Sequence, residues 1–448
     1  MSMTKTLTVN SECTDTFDTL ADLIRTRKAH VGVIGLGYVG LPLAVTLCNA
    51  GFRVTGIDVD ADRVRRLRDR TSYITDVTQS DISQAMDEGR FDVTTNEDAI
   101  RDLDTISICV PTPLRKSKDP DLSYVLSAVD MISRKLRRGQ LIILESTTYP
   151  GTTEELVLPQ LTNAGFKVGS DCFLAYSPER VDPGNKQFAT HNIPKIVGGI
   201  TPQCAELAVL LYGLCVDRTM TVSSTRVAEM VKLLENTFRS VNVGLANEIA
   251  LMCAHMQIDV WEVIKAAETK PFGFMPFYPG PGLGGHCIPI DPIYLLWKAR
   301  STGFQPRFIE LADSVNSAMP RAIVLRAMEL MNQRGMPLKG SRVHILGVTY
   351  KKNISDTRES PAIEIMKLLS GCGAVLSYSD SFASELDVDG QQFQSVPPTP
   401  ELLSASDLVM IITDHSDLDY RNVVEHSPVV FDTRNATQGI QSKNIVRL

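Results

Sequence analysis

No C-x-x-C pair occurs in this chain, and its nine cysteines follow no regular spacing. That pattern excludes a disulfide framework and a cysteine zinc site, and it favours a reducing compartment. Also missing is any apolar run of the roughly 20 residues that cross a bilayer. The opening M-S-M-T-K-T-L-T-V-N lacks the apolar core of a secretory leader, so a cytoplasmic protein with no membrane partner is expected. Excess basic charge is absent as well. A net charge of −7 argues against nucleic acid as a partner and leaves room only for a local basic site that holds phosphates. What remains is ordinary globular material, 43% hydrophobic and 22% charged. At 448 residues the chain is too long for one core, so two or three domains are expected.

Residues 1–29 are polar, with an amphipathic stretch around Phe17–Ile24, and look like an appended arm or helix. From His30 a strand, a glycine turn, a helix and a strand follow in order: Val31–Gly35, then Leu41–Ala50, then Phe52–Asp58. Further buried strands are expected at Asp104–Val110, Gln140–Glu145 and Cys172–Tyr176. This alternation implies a parallel sheet covered on both faces. Thr225 to Ile258 then contains no proline and one glycine, with apolar residues at spacings of three and four, as in one long helix. After about Gln333 the strand pattern restarts at Ser341–Val348. A helix over Glu359–Leu369 follows, then strands near Val375–Tyr378, Leu408–Thr413 and Val429–Asp432. The expected fold is α/β, with two Rossmann-like, doubly wound parallel-sheet domains joined by a long central helix within a helical middle domain. The expected boundaries are an arm at 1–29, a dinucleotide domain at 30–220, a helical domain at 221–333 and a second Rossmann-like domain at 334–448.

The run Gly35-Leu36-Gly37-Tyr38-Val39-Gly40 follows a strand and opens a helix, the context in which G-x-G-x-x-G marks a dinucleotide site. Gly35 permits the tight turn, Gly37 lets the backbone approach a pyrophosphate, and Gly40 permits close helix–sheet packing. The helix N-terminus then favours the anion. Asp58 ends the second strand, where its carboxylate would accept from ribose hydroxyls and repel a 2′-phosphate, so NAD is favoured over NADP. Arg63, close by in sequence, keeps NADP open. The second Rossmann-like domain has only one glycine in its first turn, I-L-G-V-T-Y-K-K from Ile345 to Lys352. Its two lysines suit a phosphate-bearing substrate or are a solvated basic turn.

Cys287 stands in P-G-P-G-L-G-G-H-C-I-P-I-D, Pro279 to Asp291. So few side chains there let a substrate approach the backbone, and a dinucleotide signature in the same chain suggests covalent chemistry on an oxidised substrate. Lys232 and Asn236 are four apart, hence on one face of the long helix. Glu179 and Arg180 in Y-S-P-E-R, and Thr147 in E-S-T-T-Y-P, each follow a strand end, where ligands gather in open parallel sheets. No cluster shows ligand spacing around His286 or elsewhere, so no metal is expected.

In order along the chain, G-L-G-Y-V-G, S-T-T-Y-P-G-T, S-P-E-R, K-L-L-E-N, G-G-H-C-I-P-I-D and Y-K-K-N-I-S-D-T-R-E-S make it resemble the UDP-glucose/UDP-N-acetylsugar 6-dehydrogenases. The similarity runs from about Val31 to Arg434. It implies a four-electron oxidation of a UDP-sugar at C6, with Cys287 as the nucleophile that forms a thiohemiacetal and then a thioester. By resemblance Lys232 stabilises the oxyanion, Asn236 hydrogen-bonds the same oxygen or its water, and Asp291 serves proton transfer. Thr147 positions water and Glu179 assists hydrolysis; which of Lys232, Asp291 and Glu179 is the base at each step stays open. Tyr38, Val39, Thr112, Thr147 and Arg358 join the fingerprint, Asp58 and Arg63 as cofactor contacts. Glu179, Arg180, Lys232, Asn236, Gly284, His286, Lys351 and Arg434 correspond to substrate contacts. Members are commonly homodimers or larger assemblies.

Glucose-specific members usually carry G-G-S-C, whereas this chain has Gly-Gly-His-Cys. The stretch Lys270 to Cys287 looks most like the UDP-N-acetylglucosamine branch, and the product would serve surface polysaccharide. His286 is either a donor to the sugar or a brace for its loop. UDP-N-acetylmannosamine, UDP-N-acetylgalactosamine and UDP-glucose are the alternative substrates. A two-electron β-hydroxyacid dehydrogenase and a non-catalytic NAD and nucleotide-sugar sensor are the more distant readings.

Overall fold

A computed structural model describes residues 11–74, 76–182, 187–188 and 190–448, with side chains from residue 16 onward. The opening ten residues of the expected arm lie outside the described residues. The chain divides into two compact units, Met1–Leu234 and Glu235–Leu448.

In the first unit an eight-stranded sheet has the order β3-β2-β1-β4-β5-β6-β7-β8. Its strands are β1 (His30–Ile34), β2 (Arg53–Ile57), β3 (Phe91–Thr94), β4 (Thr105–Ile108), β5 (Gln140–Leu144), β6 (Cys172–Tyr176), β7 (Lys195–Gly199) and β8 (Thr219–Thr221). Neighbours are parallel except β6 and β7, which pair antiparallel. The strands β4, β5 and β6 are buried at every position, which is why they read as continuous apolar runs. Chain order reverses between β1 and β4, the crevice where ligands bind in open α/β sheets. The helix Ser11–Arg25 is no loose appendage. Leu20, Ala21 and Ile24 are buried in the same core as β1, and Phe17 packs edge-on to Phe173 of β6 at 6.1 Å between centroids.

The second unit holds a five-stranded parallel sheet, β10-β9-β13-β14-β15, in the same doubly wound style. Its strands are β9 (Arg342–Leu346), β10 (Val375–Ser379), β13 (Leu408–Ile411), β14 (Val430–Asp432) and β15 (Ile445–Arg447). A separate hairpin of β11 (Glu385–Val388) and β12 (Gln391–Gln394) packs Leu386 and Val388 into the same core as β9. The same unit contains the helices Val260–Glu268, Asp291–Ser301 and Arg307–Gln333. The long helix, Thr225–His255, leaves the first unit and enters the second. Along it Gly244 faces Ala312 of the Arg307–Gln333 helix so closely that a Cβ would come to 3.3 Å from the Ala312 Cα.

Candidate active site

The glycine fingerprint has the geometry of a phosphate cradle. Gly35 takes φ +89°, and a Cβ on Gly40 would lie 1.8 Å from the Gly35 carbonyl, so only glycine permits this turn. At Gly37 a Cβ would meet nothing within 4 Å, which leaves open space above the loop. The helix that follows, Gly40–Asn49, carries no side-chain cap, although Asp60, Thr78, Thr201 and Ser360 cap the starts of theirs. Uncapped N–H groups facing open space suit a pyrophosphate.

Asp58 does more than await a ribose. Its Oδ2 accepts the Leu36 N–H at 2.8 Å and its Oδ1 accepts the Asp60 N–H at 2.9 Å, so it also shapes the loop. Remaining lone pairs can still accept from hydroxyls. Arg63 pairs with Asp58 and Asp60, each at 3.5 Å, and the cation that left NADP open is thereby engaged. Tyr38 is exposed and Thr112 half-buried.

Behind this edge lies a charge network that the sequence reading missed. Lys195, 4% exposed, donates from Nζ to Glu145 at 2.5 Å and to Glu179 at 3.1 Å. Tyr212 donates its hydroxyl to the other Glu145 oxygen. Burial pushes the Glu179 carboxyl up, but Lys195 and the Val181 N–H outweigh it and hold the group below the usual carboxylate range. Glu179 is thus anchored, and its own carbonyl receives Lys232 Nζ at 2.6 Å. Arg180 turns to the Pro194 carbonyl at 2.7 Å. Thr147 is half-buried just beyond β5.

In the second unit the cysteine loop is fastened at both ends by asparagines of the long helix. Asn247 accepts the Gly280 N–H at 2.9 Å and donates to Asn316, which donates in turn to the Ser240 carbonyl. At the far end Asn236 donates to Asp291 at 2.5 Å, with both side chains buried. The Cys287 carbonyl accepts from the Ile290 and Asp291 N–H groups, so the thiol residue stands one turn before the Asp291–Ser301 helix. Cys287 is half-exposed, whereas burial pushes the thiols of Cys48, Cys172 and Cys215 up to about 12. All cysteines among the described residues with side chains are free thiols.

Gly284 and Gly285 lie on Tyr350. A Cβ on Gly284 would come to 2.6 Å from the Tyr350 Cβ, and Gly285 has φ +81°. This brings the Tyr350–Lys351 turn against the cysteine loop. Arg358 forms a two-point pair with Asp356 at 2.9 and 2.6 Å, and its carbonyl accepts the Gly285 N–H at 3.4 Å. Arg434 donates to the Ile412 carbonyl and packs under Gly280. Lys351, Arg358 and Arg434 therefore gather around one loop. The exposed His286 ring has no hydrogen-bond partner among the described residues, and burial of part of it with the nearby Arg358 charge lowers its pKa. A brace through hydrogen bonds is not what this structure shows.

In the second sheet Asp380 sits after β10 as Asp58 sits after β2, and both side chains are buried. The Asp380 Oδ2 accepts from the Val348 and Thr349 N–H groups and from His415 Nε2 at 3.0 Å. Nδ1 of His415 accepts the Asn353 N–H at 3.0 Å, which places the ring proton on Nε2. Through Oδ2 this carboxylate holds the start of the Y-K-K turn, and its Oδ1 accepts the Phe382 N–H at 2.8 Å.

Residues 29–216 match the NAD binding domain of the UDP-glucose/GDP-mannose dehydrogenase family. Residues 226–318 match its central domain and 344–439 its UDP binding domain. The chain belongs to this family. It is 36% identical over 393 residues to a UDP-N-acetyl-D-glucosamine 6-dehydrogenase from Pseudomonas aeruginosa, covering 87% of this chain and 92% of the relative. To a UDP-N-acetyl-D-mannosamine dehydrogenase from Methanococcus maripaludis strain C7 it is 34% identical over 416 residues, covering 90% and 92%. A solved structure of a UDP-D-ManNAc dehydrogenase from Pyrococcus horikoshii superposes with a TM-score of 0.86 at 30% identity, covering 93% of this chain and 98% of that one. The chain is accordingly an NAD-dependent nucleotide-sugar dehydrogenase, and its cofactor is NAD.

Proposed function

We propose that the protein oxidises C6 of UDP-N-acetylglucosamine to the carboxylate, supplying a uronic acid for surface polysaccharide in the cytoplasm. The observation that carries the chemistry is Cys287, a half-exposed thiol one turn before the buried Asn236–Asp291 pair. NAD, when bound, accepts a hydride in each of two successive oxidations. Between them the Cys287 sulfur adds to the C6 aldehyde, so the reactive carbonyl stays attached to the protein. After the second oxidation the carbon is a thioester, and water attack releases the acid and restores the thiol. Asp291, with Asn236 fixing its carboxylate, takes protons from the alcohol or the water. Lys232 stabilises the oxygen that becomes negative when the thiol or water adds. Thr147 positions the attacking water, and Glu179, whose carbonyl accepts from Lys232, assists hydrolysis.

For the sugar, His286 supports the acetamido reading: its ring stands exposed beside Cys287 without a hydrogen-bond partner among the described residues, ready to meet a C2 substituent. Lys351 and Arg434 supply cations around the same loop for the diphosphate, and Arg358 contacts the cofactor. The second reading changes only the sugar to UDP-N-acetylmannosamine, and the similarity to mannosamine enzymes favours it. NADH formation by the purified enzyme on a panel of UDP-sugars separates the two. Preference for UDP-N-acetylglucosamine is expected, and preference for UDP-glucose contradicts the acetamido assignment.

The long helix exposes Phe238, Leu245 and Met252 at spacings of seven, a one-sided apolar stripe. A second copy of the chain is the partner that fits it, giving a homodimer.

A further inference from the structure

Glu229 lies on the long helix three residues before Lys232 and is 0% exposed. Its Oε2 accepts the Gly151 N–H at 2.5 Å. Its Oε1 accepts the Thr153 N–H at 2.9 Å and the Thr153 hydroxyl at 2.7 Å. Gly151 is at φ +107°, a conformation that turns its N–H toward the helix at a position where a side chain would be strained. These contacts close the far end of the Glu145–Thr153 loop. At the near end Ser146 donates its hydroxyl to the Val110 carbonyl at 2.8 Å, and Glu145 is gripped by Lys195. Thr147 lies between the two anchors. Residues three apart share a helix side, so the helix side that holds this loop through Glu229 also directs Lys232 to Glu179.

We propose that Glu229 is a positioning residue: its ionised carboxylate fastens the Thr147 loop to the helix that carries Lys232, and protonation releases that grip. The proposal rests on the assignment of Thr147 and Lys232 to the catalytic site. The carboxylate presents unencumbered acceptors to all three donors. An amide nitrogen turned toward an N–H leaves it unsatisfied, and a protonated oxygen accepts more weakly than an ionised one.

The charges around Glu229 fit a switch near neutrality. Glu154 and Glu155 follow on the loop side, and Arg226 of the long helix is paired with both of them. Tyr149 faces it from the loop. Burial pushes the Glu229 carboxyl up, against the Gly151 and Thr153 donors, to about 7.

The test compares kcat of the wild type and Glu229→Gln from about pH 6 to about pH 8.5, using the UDP-sugar turned over fastest in the panel. Near pH 6 the wild-type carboxyl is protonated, so the two enzymes should have similar kcat. By about pH 8.5 the ratio should rise to about tenfold or more, with its midpoint near 7, because misplaced groups lose rate steeply. KM for the UDP-sugar should stay within about twofold, since the loop positions reacting groups rather than binding the nucleotide. Thr153→Val removes one donor and should give a smaller ratio with the same pH dependence. A fold-only role gives a pH-independent ratio, and that result overturns the proposal. If the ratio is flat while Thr147→Ala is impaired, only the role of Glu229 fails. An unimpaired Thr147→Ala enzyme overturns both the proposal and the site assignment beneath it.

Discussion

Two glutamates of the first unit, Glu179 half-buried and Glu229 buried, are shifted in opposite directions. Glu179 has Lys195 at 3.1 Å and is held low; Glu229 has only neutral donors on its carboxylate and is pushed up to about 7. The signs of their stability contributions differ accordingly. Stability from Glu179 is complete above the ordinary carboxylate value and is lost as pH falls through its lower folded value. Stability from Glu229 is complete below the ordinary value and is lost as pH rises through about 7. The urea midpoint of the wild type should therefore fall relative to that of Glu229→Gln between about pH 5 and about pH 8. Parallel midpoints would show that the carboxyl is not shifted. At Lys195 the expectation is loss of fold. Lys195→Met leaves two carboxylates in a buried pocket and should cost about 3–5 kcal/mol in chemical denaturation; a loss below about 1 kcal/mol contradicts the network. Neither Glu145 nor Lys195 was legible as a site residue. Glu145 and Lys195 are 50 apart in the chain, and only the fold makes them partners. The one local signal is a charge at the edge of an apolar strand: Glu145 after β5, and Lys195 opening K-I-V-G-G.

The long helix and the central strands were readable because their periods are strong. Cys172–Tyr176 was expected with the bounds observed, and the helix expected from Thr225 begins there. Strands β3, β7 and β8 were missed, being short and partly polar or at an edge; β11, β12 and β15 were missed for the same reason. Within the helix, Asn236 was named for chemistry, whereas Asn247 and Asn316 resemble any polar helix position until their partners are known. Gly244 is a close point between the long helix and the Arg307–Gln333 helix. Gly244→Leu should force these helices apart and cost about 1–3 kcal/mol, seen as a lower thermal midpoint. An unchanged midpoint would mean that the contact yields freely.

For the whole molecule, the family and its cofactor were legible from ordered motifs, because phosphate cradles and nucleophile loops need fixed local sequences. Assembly was not, since an exposed apolar stripe does not spell out its partner. Light scattering at micromolar concentration should give the mass of a dimer, and Leu245→Glu should lower it to that of one 49.3 kDa chain; a wild-type enzyme that is monomeric contradicts the stripe as an interface. The central claim is that Cys287 retains one carbon through two oxidations. Its most direct test is the NADH formed per UDP-sugar consumed by the wild-type enzyme, beside Cys287→Ala. Two NADH per sugar are expected, with the variant failing to yield the acid. One NADH per sugar, or normal acid production by Cys287→Ala, would contradict it.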